Sequence, residues 1–139
     1  MPALQKIQDF AEQVLRGVHN FGAHTFKVAL TNTAPLATKA VLADITQVAA
    51  SGGYASGGYV LDSVAISETG GVAKVTVADE VITATGGAIG PLRYAVIYND
   101  TAAGKPLVGF VDYGSSITLN DTETLTLDFD AANGVLTLS

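Results

Sequence analysis

The chain has 139 residues, of which 48% are hydrophobic and only 14% charged, with 13 acidic against 7 basic side chains for a net charge of −6. That length gives one domain with room for a real core. The absence of cysteine excludes a disulfide framework, a thiolate metal site and a cysteine nucleophile, and seven scattered basic residues exclude the cationic stripe that nucleic acid requires.

Residues Leu4, Ile7, Phe10, Ala11, Val14, Leu15 and Val18 recur at spacings of three and four, with Gln5, Gln8, Asp9, Glu12, Gln13 and Arg16 between them. This spacing predicts one amphipathic α-helix over 4–18, within an N-terminal segment 1–22. So short a helix is marginal alone, and its apolar stripe is expected to dock on its own sheet or on a neighbour. From residue 23 to 139 the pattern is that of a single β domain. Phe26, Val28 and Leu30 alternate with Lys27, Ala29 and Thr31, and Asn32-Thr33-Ala34-Pro35 ends that strand. Residues 38–48 read either as one helical turn after Thr38 or as loop and short strand. Residues 51–58 are a glycine-rich loop.

Val60, Asp62, Val64 and Ile66 predict a strand closed by Gly70-Gly71, and residues 72–77 its successor. A short strand follows at 81–84, before Gly86-Gly87. Residues 93–98 are almost continuously apolar, as in a strand covered on both faces. A turn from Asn99 to Gly104 leads to 107–111, where Gly109 marks a bulge or a close backbone approach. Ile117, Leu119, Leu125, Leu127 and Phe129 continue the alternation. Asn133-Gly134 is a two-residue hairpin signal, predicted to join that strand to 135–138. Strands at this spacing predict a mainly β fold, an antiparallel β-sandwich or jelly-roll-like barrel.

Chemistry is sparse. His19 and His24 stand at the junction of helix and first strand without a carboxylate at a supporting spacing, and read as polar junction residues before metal ligands. Asn120, Asp121, Glu123, Asp128, Asp130 and Asn133 gather oxygens near two turns, but not at the spacing of a calcium loop, and Asn/Asp turns are ordinary turn chemistry. Gly86–Gly90 lacks the Gly-Lys-Ser/Thr ending of a phosphate loop, and no serine elbow occurs. No catalytic group, metal or cofactor is expected. Arg93 is expected to pair with a carboxylate, with Asp112 its candidate if 93–98 and 107–113 pair. Tyr94 and Tyr98 fall on one face of a strand and fit a protein interface or, less well, a sugar-binding groove.

The deficit of charge predicts that part of the surface is covered by another copy or by a larger assembly. No apolar run approaches the roughly 18 residues that span a bilayer. The opening Met1-Pro2-Ala3-Leu4-Gln5-Lys6 lacks a signal peptide's apolar middle, so a soluble chain made in the cytoplasm, without membrane or nucleic-acid partners, is expected.

Several phrases together carry a resemblance: Gly17-Val18-His19-Asn20-Phe21-Gly22, Phe26-Lys27-Val28-Ala29-Leu30-Thr31-Asn32-Thr33-Ala34-Pro35, Val41-Leu42-Ala43-Asp44-Ile45 and Gly52-Gly53-Tyr54. Further on come Gly90-Pro91-Leu92-Arg93-Tyr94-Ala95-Val96-Ile97-Tyr98-Asn99-Asp100, Pro106–Gly114 and Ala131-Ala132-Asn133-Gly134. In this order they resemble a family of small virion proteins of tailed bacteriophages. The resemblance implies a non-enzymatic decoration or cement protein on the outer face of the head, assembled in the host cytoplasm. Its partners would be the major capsid protein and other copies of itself, with a trimer as the expected oligomer. The alternative is a tail, neck or baseplate component that binds a host receptor or glycan. The residues expected at the interface are Leu4, Ile7, Phe10, Val14, Tyr94 and Tyr98.

Overall fold

Alternating apolar residues at Phe26–Thr31 (β2) and the long apolar stretches Ile89–Asn99 (β7) and Leu107–Leu119 (β8) build the centre of the molecule. The computed structural model describes residues 3–139. Gln5–Lys6 (β1) and Tyr59–Val60 (β3) complete a five-stranded antiparallel sheet in the order β1-β8-β7-β2-β3. Ala65–Thr69 (β4), Val72–Thr76 (β5) and Leu136–Leu138 (β10) form a three-stranded sheet ordered β10-β5-β4, and Glu80–Thr83 (β6) pairs with Thr124–Leu127 (β9). The fold is mainly β, and among the described residues every pairing is antiparallel and no sheet closes into a barrel.

β7 is buried on both sides, as its unbroken apolar run predicts: Val96, Ile97 and Tyr98 are each at most 3% exposed. On one side Val28, Leu30, Ala95, Ile97 and Val108 join Val75, Ile82, Leu125 and Leu136 from the smaller sheets in the main core. On the other, Ala29, Val96, Tyr98, Leu107 and Phe110 meet Ile7 and Ile45 in a second cluster.

The segment 32–58 covers the sheet, sending Leu42 and Ile45 to the second cluster and Val48 and Tyr54 to the main core, and its one helical element is a 3-10 turn at Leu42–Asp44. The loop-and-short-strand reading of 38–48 is therefore nearer than a helical turn begun at Thr38. Tyr54 pins this segment. Its hydroxyl accepts the Leu30 N–H (3.0 Å) and donates to Gln47 Oε1 (2.7 Å), which also accepts the Gly57 N–H (2.8 Å). At Gly58, φ is +75° and a Cβ would lie 1.9 Å from the Val28 carbonyl oxygen, so only glycine fits there.

Gly70 and Gly71, both at positive φ, turn β4 directly into β5, as their sequence signal predicts. Gly109 is both a bulge neighbour and a close approach. The β7–β8 register shifts between Ile97 and Tyr98, and a Cβ on Gly109 would meet the Gln5 carbonyl oxygen at 2.5 Å.

Three expectations are corrected. The strand predicted through Val60, Asp62, Val64 and Ile66 is divided, with Tyr59–Val60 in the five-stranded sheet and Ala65–Thr69 in the three-stranded one. The helix predicted over 4–18 is confined to Phe10–Leu15 (α1). Residues 5–6 pair with Phe110 and Gly109 instead, and the Ile7 N–H donates to the Val108 carbonyl (3.1 Å). The reason lies in the two clusters: Ile7 enters the second and Phe10 the main core, on opposite sides of the sheet. One face of one helix cannot serve both. The Asn133-Gly134 hairpin is also absent, because β10 pairs with β5 and not with β9. The Asp130 carboxylate accepts the N–H groups of Ala132 and Asn133 (2.9 Å each), and the Gly134 N–H returns to the Asp130 carbonyl (2.7 Å). That helical turn carries the chain across to β5, where Val135 donates to the Val75 carbonyl (2.8 Å).

Candidate assembly interface

The N-terminal segment and the three-stranded sheet leave an apolar groove between them. One wall is Ile7, Phe10, Ala11, Val14, Leu15 and Phe21; the other is Ile66, Ala73, Val75, Leu136 and Leu138. Register explains the second wall. Ile66 and Leu136 both oppose Val75, while Leu138 opposes Ala73, so these side chains share one face. The groove encloses about 530 Å³, with Lys6, Gln8 and Thr137 as its polar members. Leu15 is 89% exposed, Leu138 67% and Ile66 52%. Both outer strands of this sheet, β10 and β4, present an unpaired edge.

The residues expected at an interface distribute unevenly. Leu4 and Val14 are half-buried against the main core, and Val14 lines the groove. Ile7 and Phe10 also reach the groove but are buried by their own domain. Tyr94 and Tyr98 do share a face, the one that Leu42 and Ile45 of the 32–58 segment cover. Tyr98 is 1% exposed and donates its hydroxyl to the Gly57 carbonyl, and burial pushes its pKa up to about 12. It is a core residue in this chain. Tyr94 is half-buried, edge-on to Phe110 at 6.1 Å, with the Arg93 guanidinium 5.3 Å from its ring centre. Leu15 and Leu138 lie in segments the sequence offers for docking, the 4–18 stripe and the edge of the final 135–138 strand, whereas Ile66 is not singled out there. Which apolar residue stays outside is decided by tertiary packing.

Arg93 and Asp112 pair as their strand positions predict, at 2.8 Å from Nε to Oδ1. Among the described residues no group of three His, Asp or Glu side chains is placed to hold a metal ion. The acidic turns use their oxygens internally: Asp121 accepts the Gly86 N–H (2.9 Å) and Glu123 the Asn120 N–H (2.9 Å). Hydrogen bonds from Asn133, first its backbone N–H and then its side chain, hold the Asp130 carboxyl below the usual range. His19 and His24 both turn Nδ1 toward the Asn99 amide.

Comparison of the chain with protein-family models, with curated proteins and with solved structures finds no match in any of the three.

Proposed function

We propose that this chain is a structural protein of a tailed-bacteriophage virion, a decoration or cement subunit that binds the major capsid protein on the outer face of the head. The observation that carries the reading is the apolar groove beside α1, flanked by two open sheet edges on a chain poor in charge. Side chains such as Leu15 and Leu138 are stable in water only at a cost that burial against another chain removes. The resemblance of the sequence to phage virion proteins is the ground for proposing a phage head as the assembly that supplies that chain.

In this reading the sheets pack as a sandwich-like unit whose work is adhesion. The subunit forms a homo-oligomer, a trimer at a local three-fold position, and each copy grips adjoining capsid subunits. Contacts on the order of 1,000 Å² or more, repeated over a shell, resist internal pressure through many modest interactions. The open edge of β10 suits strand addition from a neighbour. No catalytic step is assigned. Support for a glycan-binding tail component is weaker, because Tyr54 and Tyr98 are buried in the fold and Tyr113 is the one strongly exposed tyrosine.

The test is co-sedimentation of the purified protein with heads that lack it, alongside the Leu15→Glu and Leu138→Lys variants. Saturable binding by the parent and its loss in folded variants is the expected result. Failure of the parent to bind heads, or equal binding by both variants, overturns the reading.

A further inference from the structure

We propose that His19, His24 and Asn99 form an acid-released latch that holds the N-terminal segment, with α1, on the five-stranded sheet. Asn99 lies at the end of β7, opposite Phe26, and is fully buried. Its Oδ1 accepts the N–H groups of Thr101 (3.0 Å) and Ala102 (3.1 Å), which fixes the orientation of the amide. Nδ2 must then be the atom that faces the histidines. It stands 2.9 Å from His24 Nδ1, 3.3 Å from His19 Nδ1 and 3.4 Å from the Val18 carbonyl oxygen. His24 Nδ1 accepts a second donor, the Asn20 N–H at 3.3 Å.

This arrangement assigns the tautomers. Both rings face donors at Nδ1, so both carry a lone pair there and their proton on Nε2. An imidazolium has a hydrogen on each nitrogen. Protonating His19 would aim an N–H at the Asn99 amide, so the closed latch requires a neutral His19.

His19 is the vulnerable member. Its Nε2 is buried with no hydrogen-bond partner among the described residues, and its ring lies among Phe10 (5.2 Å), Phe21 (6.1 Å) and Phe26 (6.1 Å between ring centres). Of the groups around it, Asp9 beside α1 favours a charge and His24 opposes one. Phe26 on β2 and Asn99 on β7 are neutral, and the adjacent Asp100 is engaged by Lys105. Burial outweighs Asp9 and lowers the His19 pKa to about 4. An unfolded or released His19 returns to the ordinary 6.5. The folded value is the lower one, so the latch is at full strength above about pH 6.5 and weakens as pH falls from there toward 4.

Release is local. α1 has six residues with Phe10 its one buried side chain, and Phe10 packs on the His19 ring. Ejecting a protonated His19 unseats Phe10 and Phe21, which also line the apolar groove. Acid thus reshapes the groove while the central strands stay paired.

The experiment is an NMR titration of the full chain from pH 7.5 to 4, following His19 and amide protection factors. His19 is expected to titrate well below 6.5. The amides of Gln13 and Arg16, which bond Asp9 and Glu12 carbonyls, should lose protection by on the order of tenfold by pH 5, while β2 and β7 amides keep theirs. A His19→Phe variant should hold α1 protected through the same interval. The proposal is overturned if His19 titrates at 6.5 or above, or if α1 protection is constant to pH 4. It is also overturned if folded His19→Phe loses α1 protection in acid as the parent does. Should that variant misfold, the parent's titration decides alone.

Discussion

Arg93 clasps Asp112 at two points, Nε to Oδ1 at 2.8 Å and Nη2 to Oδ2 at 3.1 Å, where β8 leaves the register of β7. Tyr94 opposes Asp112 but Leu92 opposes Ile117, so residues 113–116 of β8 stand across from Arg93 alone. Asp112 Oδ1 also accepts the Gly114 N–H at 2.8 Å. The carboxylate thus closes the bulge, and the guanidinium holds the carboxylate.

Unequal effects of the two partners follow from that division. Asp112→Ala frees both Arg93 and the Gly114 N–H, whereas Arg93→Ala leaves the Gly114 bond in place, so the aspartate variant should have the lower melting temperature. The Arg93 hydrogen bond, followed by the Gly114 N–H, holds the Asp112 carboxyl below its usual range. The folded value is the depressed one. The contribution is therefore full above the ordinary aspartate pKa and is lost as pH falls through the lowered value. A carboxyl-carbon NMR titration reads it directly, and an ordinary Asp112 titration would contradict the clasp.

Tyr54→Phe tests how the 32–58 segment is pinned to β2. The substitution keeps the ring but orphans the buried Leu30 N–H and one acceptor site on Gln47. A stability loss of about 2 kcal/mol is expected from leaving such groups unsatisfied. Denaturant unfolding measures it, and a change within 0.5 kcal/mol of zero, the ordinary surface range, would show that the hydroxyl does not pin the loop.

Gly109→Ala should displace β1. The added methyl would sit 2.5 Å from the Gln5 carbonyl oxygen and 3.1 Å from Leu4 Cγ, so the terminal strand must move or strain. The expected cost is about 2 kcal/mol. Loss of hydrogen-exchange protection at the Ile7 amide, with the β7 amides still protected, would place the damage at β1.

Thr122→Gly should stabilise the protein. Thr122 is an exposed, β-branched residue at φ +76° in the turn from β8 to β9. The left-handed conformation costs such a residue about 1–2 kcal/mol, and glycine's extra unfolded-state freedom returns about half of that. A net gain of about 0.5 kcal/mol is expected from urea midpoints, with the Thr122 N–H to Ala84 carbonyl bond (2.8 Å) retained.

Strand alternation made much of the fold legible before any coordinate. The period-two pattern at 26–31, the doubly covered run at 93–98 and the Gly70-Gly71 turn all describe local choices that the tertiary structure keeps. Arg93 and Asp112 were legible as a pair because strand pairing alone brings them together. The N-terminal helix was overextended because spacings of three and four cannot distinguish one face of one helix from side chains divided between two cores. Asn133-Gly134 misled for a related reason. A hairpin signal reports that the chain can turn, whereas Asp130 capping and the demand of β5 for a partner decide where it goes. For the candidate interface, Tyr98 had the right residue type, but the segment that buries it is distant in sequence, its hydroxyl's partner Gly57 lying 41 residues earlier.

Deleting residues 1–18 would take Ile7 and Phe10 out of the two cores. Point changes at Leu15 and Leu138 leave those cores intact and are the cleaner probes of adhesion.

The most direct measurement is a cryo-EM map of intact phage particles carrying this protein, with its copy number counted. The account predicts density on the outer head shell in hundreds of copies, with the Leu15–Leu138 groove against a neighbouring chain. Density confined to the neck or tail tip in a handful of copies would contradict it.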